Sequence, residues 1–242
     1  MTLLVALKGR DGIVAATDSR GTFGDARMVT AQNDTMQKLY AVAPHVALMA
    51  SGAAELATVL KNNLEQRIGQ DVDGASAVMG LTREVAREGY GQWFPGWAIQ
   101  QGLNASMPVR PDLGLVVTGF DPDPDGAFTV PKIYQLVSAL DFAPMLSDYG
   151  FALQGVAQYA LYLLNRLYVP DSPIADLMAL AVYVIGETAS QDGKVGGPVQ
   201  VATITPRDGC AILAAEQVEA IVAANKIRSE QLRSSFFAGA SG

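Results

Sequence analysis

Thr2 stands directly after Met1 and ahead of the apolar run Leu3-Leu4-Val5-Ala6-Leu7. A small second residue lets methionine aminopeptidase remove Met1, which leaves Thr2 with a hydroxyl and a free α-amine on one residue. An α-amine titrates near about 7.7–8.0, so it can act as a base at neutral pH. A hydroxyl needs such a base beside it to become a nucleophile, and an N-terminal threonine carries its own. Many chains begin Met-Thr without chemical purpose, so the rest of the sequence has to decide. Other chemistries are poorly supplied. His45 is the only histidine and Cys210 the only cysteine. A zinc centre or a Ser-His-Asp triad would have to be built around one imidazole, and no intramolecular disulfide can form. No motif surrounds Cys210, which reads as a small core residue. Neither a metal nor a cofactor is expected.

The 242 residues are 50% hydrophobic and 17% charged, and the net charge is −7. That composition suits one globular domain over 1–242 with a large core. Without a basic stripe, nucleic acid is not an expected partner. No apolar run reaches the roughly 18 residues of a membrane span. The start lacks the charged and apolar regions of a signal peptide. These readings, with one cysteine, point to the cytoplasm.

The first third alternates short apolar runs with turns. Leu3–Leu7 and Ile13–Thr17 flank Asp11-Gly12, a hairpin signal. Lys38–Val42 and Val46–Ala50 form a second hairpin around Pro44, closed by Gly52. Helical spacing of Leu56, Val59, Leu60 and Leu64 predicts a helix over 53–68, and a second covers 75–88. Residues 89–112, with Tyr90, Trp93, Phe94 and Trp97, read as an irregular insertion whose aromatics serve an intersubunit contact. Strands follow over 113–119, 128–130 and 132–139, with Asp121–Gly126 as a rigid turn. Helices are predicted over 154–168 and 174–189, a strand over 199–205 and a charged helix over 215–236. Helices in two pairs, each after a block of strands, suggest two stacked antiparallel sheets with helices on both outer faces. The fold class is therefore α+β, a four-layer α-β-β-α sandwich.

Several stretches resemble a known family. Thr2 followed by Asp11-Gly12-Ile13-Val14-Ala15-Ala16-Thr17-Asp18-Ser19-Arg20 is similar to the opening of proteasome β-subunits and their bacterial relatives, the HslV and Anbu types. Lys38-Leu39-Tyr40, Met49-Ala50-Ser51-Gly52, Ala152–Gly155 with Tyr159-Ala160, Ser190–Gly193 and Gly196–Val199 continue the likeness in order. The resemblance implies the N-terminal-nucleophile hydrolase fold. It implies Thr2 as nucleophile, and Lys38 as the lysine that lowers its proton affinity. Asp18 is then the acid paired with Lys38, in a segment about four residues longer than usual. It further implies Gly52 N–H as the oxyanion donor, Asp192 as the late-loop acid that orients the terminal amine, and Met36 and Ala50 as substrate-pocket residues.

On that resemblance the expectation is a threonine endopeptidase subunit. It would cut unfolded polypeptide inside a homo-oligomeric ring fed by a separate ATP-dependent unfoldase. Two positions differ from the family pattern: Gly155 and Val195 stand where serines help hold the amine. They point to one alternative, a non-catalytic structural ring subunit. A second alternative is an amidase or transpeptidase using the same Thr2 on a small substrate.

Overall fold

The computed structural model describes residues 2–24, 30–69, 72, 74–95 and 110–237. Strands β1 (Leu3–Lys8) and β2 (Ile13–Thr17) form the first hairpin, closed by a Gly9 N–H bond to the Gly12 carbonyl. A short hairpin, β3 (Gly21–Gly24) with β4 (Thr30–Asn33), leads to β5 (Leu39–Ala43) and β6 (Val46–Gly52). Helices α1 (Ala54–Arg67) and α2 (Ala75–Trp93) follow, then β7 (Leu113–Pro122), β8 (Phe128–Val137) and β9 (Met145–Leu146). The chain continues through β10 (Phe151–Gly155), α3 (Gln158–Leu167) and α4 (Ile174–Gln191). It ends with β11 (Gln200–Thr205), β12 (Gly209–Ile212) and α5 (Ala215–Phe237).

One sheet has the order β10-β1-β2-β11-β12 and the other β5-β6-β7-β8-β9, and every pairing is antiparallel. The two sheets stack, as the alternation of strand side chains shows. Leu3, Val5 and Leu7 face the core shared with α3, α4 and α5. Leu4 and Ala6 face the layer between the sheets, against Leu39, Met49 and Val116. In the second sheet Val46, Leu48 and Ala50 face α1 and α2, while Ala47 and Met49 face the gap. The result is the α-β-β-α sandwich. By the same alternation, Thr2 lies in register with Leu4 and Ala6, at the end of the inter-sheet layer.

The helices bury one stripe each. In α2 the buried residues Ala75, Val78, Thr82, Val85, Ala86, Gly89 and Tyr90 recur at three- and four-residue steps. The Asp11 side chain, in the β1–β2 turn, accepts the Ile174 N–H at 2.8 Å and so caps the start of α4.

Three expectations need correction. Residues 89–93 are not irregular but the last turn of α2, because Gly89 and Tyr90 complete its buried stripe. Tyr90 is 1% exposed, and Trp93 and Phe94 pack beside it with ring centroids at 6.0 and 5.3 Å. These aromatics serve the core rather than a free contact; Trp97 lies outside the described residues. Residues 154–155 end strand β10 instead of starting a helix, since β10 pairs with β1 as far as Gly155 opposite Leu3.

Gly155 has a structural job. Its φ is +90°, and a Cβ there would stand 1.8 Å from the Thr2 carbonyl oxygen. That same carbonyl accepts the Val156 N–H at 2.8 Å. Gly80, in contrast, lies on the exposed side of α2, and a methyl there would meet nothing within 4 Å. Gly155→Ala should therefore lower stability by at least about 1–3 kcal/mol from backbone strain alone. Gly80→Ala should raise it by about 0.5–1 kcal/mol. Urea unfolding of the two variants reads both signs.

Candidate active site

Asp18 follows β2 and is completely buried. Its carboxylate accepts four hydrogen bonds. Oδ1 takes the Leu3 N–H at 3.0 Å and Lys38 Nζ at 3.2 Å. Oδ2 takes the Arg20 and Gly196 N–H groups, both at 3.1 Å. Lys38 is 6% exposed, and its Nζ donates to Thr2 Oγ at 2.5 Å and to the Arg20 carbonyl at 2.7 Å. Thr2, Asp18 and Lys38, spread over the first 38 residues, thus form one connected buried set.

The segment that delivers Lys38 is held from three sides. On β11, Gln200 accepts the Lys38 and Leu39 N–H groups through Oε1, at 3.0 and 3.2 Å, and donates from Nε2 to the Met36 carbonyl at 2.6 Å. Ser19 Oγ donates to the Asp34 carbonyl at 2.6 Å, and the Met36 N–H bonds the Ser19 carbonyl at 3.1 Å. Arg20 and Asp34 pair in two parallel bonds, Nε to Oδ1 at 2.7 Å and Nη2 to Oδ2 at 2.8 Å. Arg20 also reaches the Gly193 carbonyl at 3.1 Å.

Burial lowers the Lys38 pKa from its ordinary value; the Asp18 and Asp34 carboxylates oppose that shift, and the Arg20 charge adds to it. The three acceptors around Nζ satisfy an ammonium completely. They satisfy the neutral amine equally well if the Thr2 hydroxyl becomes the donor. A proton can therefore pass between Thr2 Oγ and Lys38 Nζ without movement of heavy atoms, which is what an activated hydroxyl requires.

Thr2 opens onto a cavity of about 160 Å³ lined by Lys38, Met36, Ala50, Gly52 and the β3 residues Gly21–Phe23. Met36 and Ala50 thus share a cavity with Thr2. Gly52, at the end of β6, has φ +99°, and a Cβ there would lie 2.1 Å from the Asp112 carbonyl. Only glycine lets the chain turn at this point beside Thr2.

Asp192 does not join the set. Its Oδ1 accepts the Lys194 N–H at 2.9 Å, and its carbonyl accepts the Val195 N–H at 3.0 Å. The Oδ1 bond shapes the loop that delivers Gly196 to Asp18. Val195 is fully buried in the core under α4, so its side chain faces away from the site. Both positions that differ from the family pattern also answer to local packing. One glycine is demanded by contact with Thr2, and the valine by packing.

Residues 2–73 match the proteasome subunit family. Over 229 residues the chain is 29% identical to the proteasome subunit beta of Haloquadratum walsbyi, covering 91% of this chain and 80% of that one. Its fold matches Anbu, the ancestral beta-subunit, from Yersinia bercovieri with a TM-score of 0.73 at 17% identity, over 99% of this chain and 98% of that one. It matches the helical Anbu assembly from Pseudomonas aeruginosa with a TM-score of 0.72 at 20% identity, over 97% and 95% of the two chains. The architecture is that of the N-terminal-nucleophile sandwich. In sequence the chain is similar to proteasome beta subunits, and in fold to Anbu.

Arg20, Asp34 and Gln200 are not singled out by the sequence. Arg20 lies inside a quoted motif. Asp34 and Gln200 carry no local signal, because their partners are 14 and more than 160 residues away. Asp34→Asn removes a charge that raises the Lys38 pKa and leaves the opposing Arg20 charge unpaired. Both changes act downward, so Lys38 should titrate at lower pH in the variant. The ¹³Cε shift of labelled lysine measures this directly, and an unchanged titration removes Asp34 from the electrostatics of the site.

Proposed function

We propose that this chain is a threonine-type peptidase subunit with Thr2 as its nucleophile, freed by removal of Met1. The observation that carries the reading is the 2.5 Å bond between Lys38 Nζ and Thr2 Oγ, held beside a fully buried Asp18. Thr2 Oγ attacks the scissile carbonyl. Its proton goes to the α-amine or to Lys38, for which the hydrogen-bond geometry leaves room. The oxyanion meets the Gly52 N–H, a donor worth about 3–4 kcal/mol in such sites. The protonated amine returns its proton to the leaving nitrogen, and water then releases the acyl group from Thr2.

The substrate is unfolded polypeptide, the subunits form a homo-oligomeric ring, and a separate ATP-dependent unfoldase supplies the chain. The relatives named proteasome subunit beta and the helical Anbu assembly support the peptidase and oligomer parts of this reading. So do the exposed apolar side chains of the outer helices, among them Leu161 and Tyr162 on α3 and Leu232, Phe236 and Phe237 on α5. Among the described residues no helix is long and apolar enough to cross a membrane.

The test is the intact mass of the native protein before and after a peptide epoxyketone. Loss of Met1 and a single adduct that is absent from Thr2→Ala are expected. Retained Met1, or a free Thr2 that takes no adduct, would make the chain a structural subunit. Thr2→Ala should be folded and inactive. Lys38→Ala should lose at least about a hundredfold in kcat/KM, in the range of other electrostatic deletions. Its circular dichroism should stay native, because three backbone N–H groups still hold Asp18. Turnover unchanged in Lys38→Ala would take that lysine out of the mechanism.

A further inference from the structure

Thr2, Ser51 and Gly52 line a second cavity as well, of about 370 Å³, on the side bounded by Gly114, Ser138 and Gln154. Thr2 therefore sits between two spaces. The smaller holds Lys38, Met36 and Ala50, and with Thr2 as nucleophile it takes the acyl side of the substrate. The polypeptide beyond the scissile bond has to leave on the other side of the nucleophile, where the larger cavity opens.

Gln154 is placed there by the sheet. Ala152 on β10 faces the layer between the sheets, and Gln154 two residues on faces the same way, paired with Leu4 of β1. Its amide lies directly over Gly114 of β7. A Cβ on Gly114 would come within 2.4 Å of Gln154 Nε2 and 2.7 Å of its Cδ, so the glycine makes room for the amide. Further into the layer the facing residues are apolar, so the gap turns polar at Gln154, at its open end. Among the described residues the side-chain amide of Gln154 has no hydrogen-bond partner within the protein. A half-buried carboxamide held against a backbone, with both donor and acceptor unused, matches the hydrogen-bonding pattern of a peptide group.

We propose that Gln154 is a specificity-determining residue for the leaving-group side, where its amide pairs with the peptide group that follows the scissile bond. The inference rests on the hydrolase reading of Thr2. It gives the chain a preference for substrates that continue past the cut, irrespective of their side chains.

Two substrates with the same acyl peptide separate this role from others. One carries aminomethylcoumarin as leaving group, with no peptide group beyond the scissile amide. The other continues for four residues and is read by mass spectrometry. Gln154→Leu should hydrolyse the coumarin substrate at the wild-type rate and lose about three- to tenfold in kcat/KM on the extended one, the worth of one neutral hydrogen bond. Gln154→Glu keeps the shape and loses the N–H donors, and should show the same selective loss should the leucine variant fold poorly. Equal losses on both substrates would make Gln154 a structural residue, and no loss on the extended substrate would empty the second cavity of its role. Failure of the hydrolase reading looks different: the wild-type protein then takes no epoxyketone adduct and cuts neither substrate.

Discussion

The buried carboxylate of Asp18 is the interaction on which the rest depends. A carboxylate taken wholly out of water costs several kcal/mol unless hydrogen bonds and an opposite charge replace its hydration. Here the replacements come from four separate places: the start of β1, the backbone after β2, the late loop at Gly196, and Lys38. Together they stand in for the water that burial removes. The need to satisfy one side chain therefore fixes where the first strand begins, how the late loop folds back, and where the lysine points. The ion pair itself adds little net stability, since burial offsets most of the attraction. What it contributes is position.

The sandwich explains why this charge is found where it is. The layer between the sheets is apolar along most of its length, from Ile13 and Ile204 through Val116 to Leu4 and Met49. At the Thr2 end the side chains change to threonine, serine, lysine and glutamine, and glycines at 52, 114 and 155 let backbones and side chains approach closely. A reactive group at such a boundary has low-dielectric walls on one side and access on the other. Electrostatic contacts there are stronger than at an open surface. Burial at that boundary lowers the proton affinity of Lys38, against the opposing pull of the Asp18 and Asp34 carboxylates.

Much of this is readable in the sequence. The β1–β2 and β5–β6 hairpins follow from turn residues between apolar runs, and the paired helices from three- and four-residue spacing. Thr2, Asp18, Lys38, Met36, Ala50 and Gly52 come close together in space, although the segment between Asp18 and Lys38 is longer than the resemblance implies. The differences share a cause. Strand β10 is five residues with no alternation to separate it from the helix that follows, so its strand state depends on pairing with β1. The aromatic end of α2 reads as irregular because Gly89 and Gly91 dilute the helical pattern, and only the underlying core shows why Tyr90 belongs to it. Asp192 also accepts a backbone N–H two residues on, an Asx turn that spacing alone does not reveal.

The ends of most chains fray. Thr2, by contrast, has its carbonyl clasped between Gly155 and the Val156 N–H, while the next amide, that of Leu3, is bound to Asp18. Its anchors are these backbone groups on its C-terminal side and its side-chain hydroxyl, bound to Lys38, and none of them is the bond that precedes it. On the proposed reading, scission of that bond leaves the clasp intact, so Thr2 keeps its place in the sheet. Its order then belongs to the sheet and not to a loop. On the same reading, control over the site lies in what is allowed to reach it.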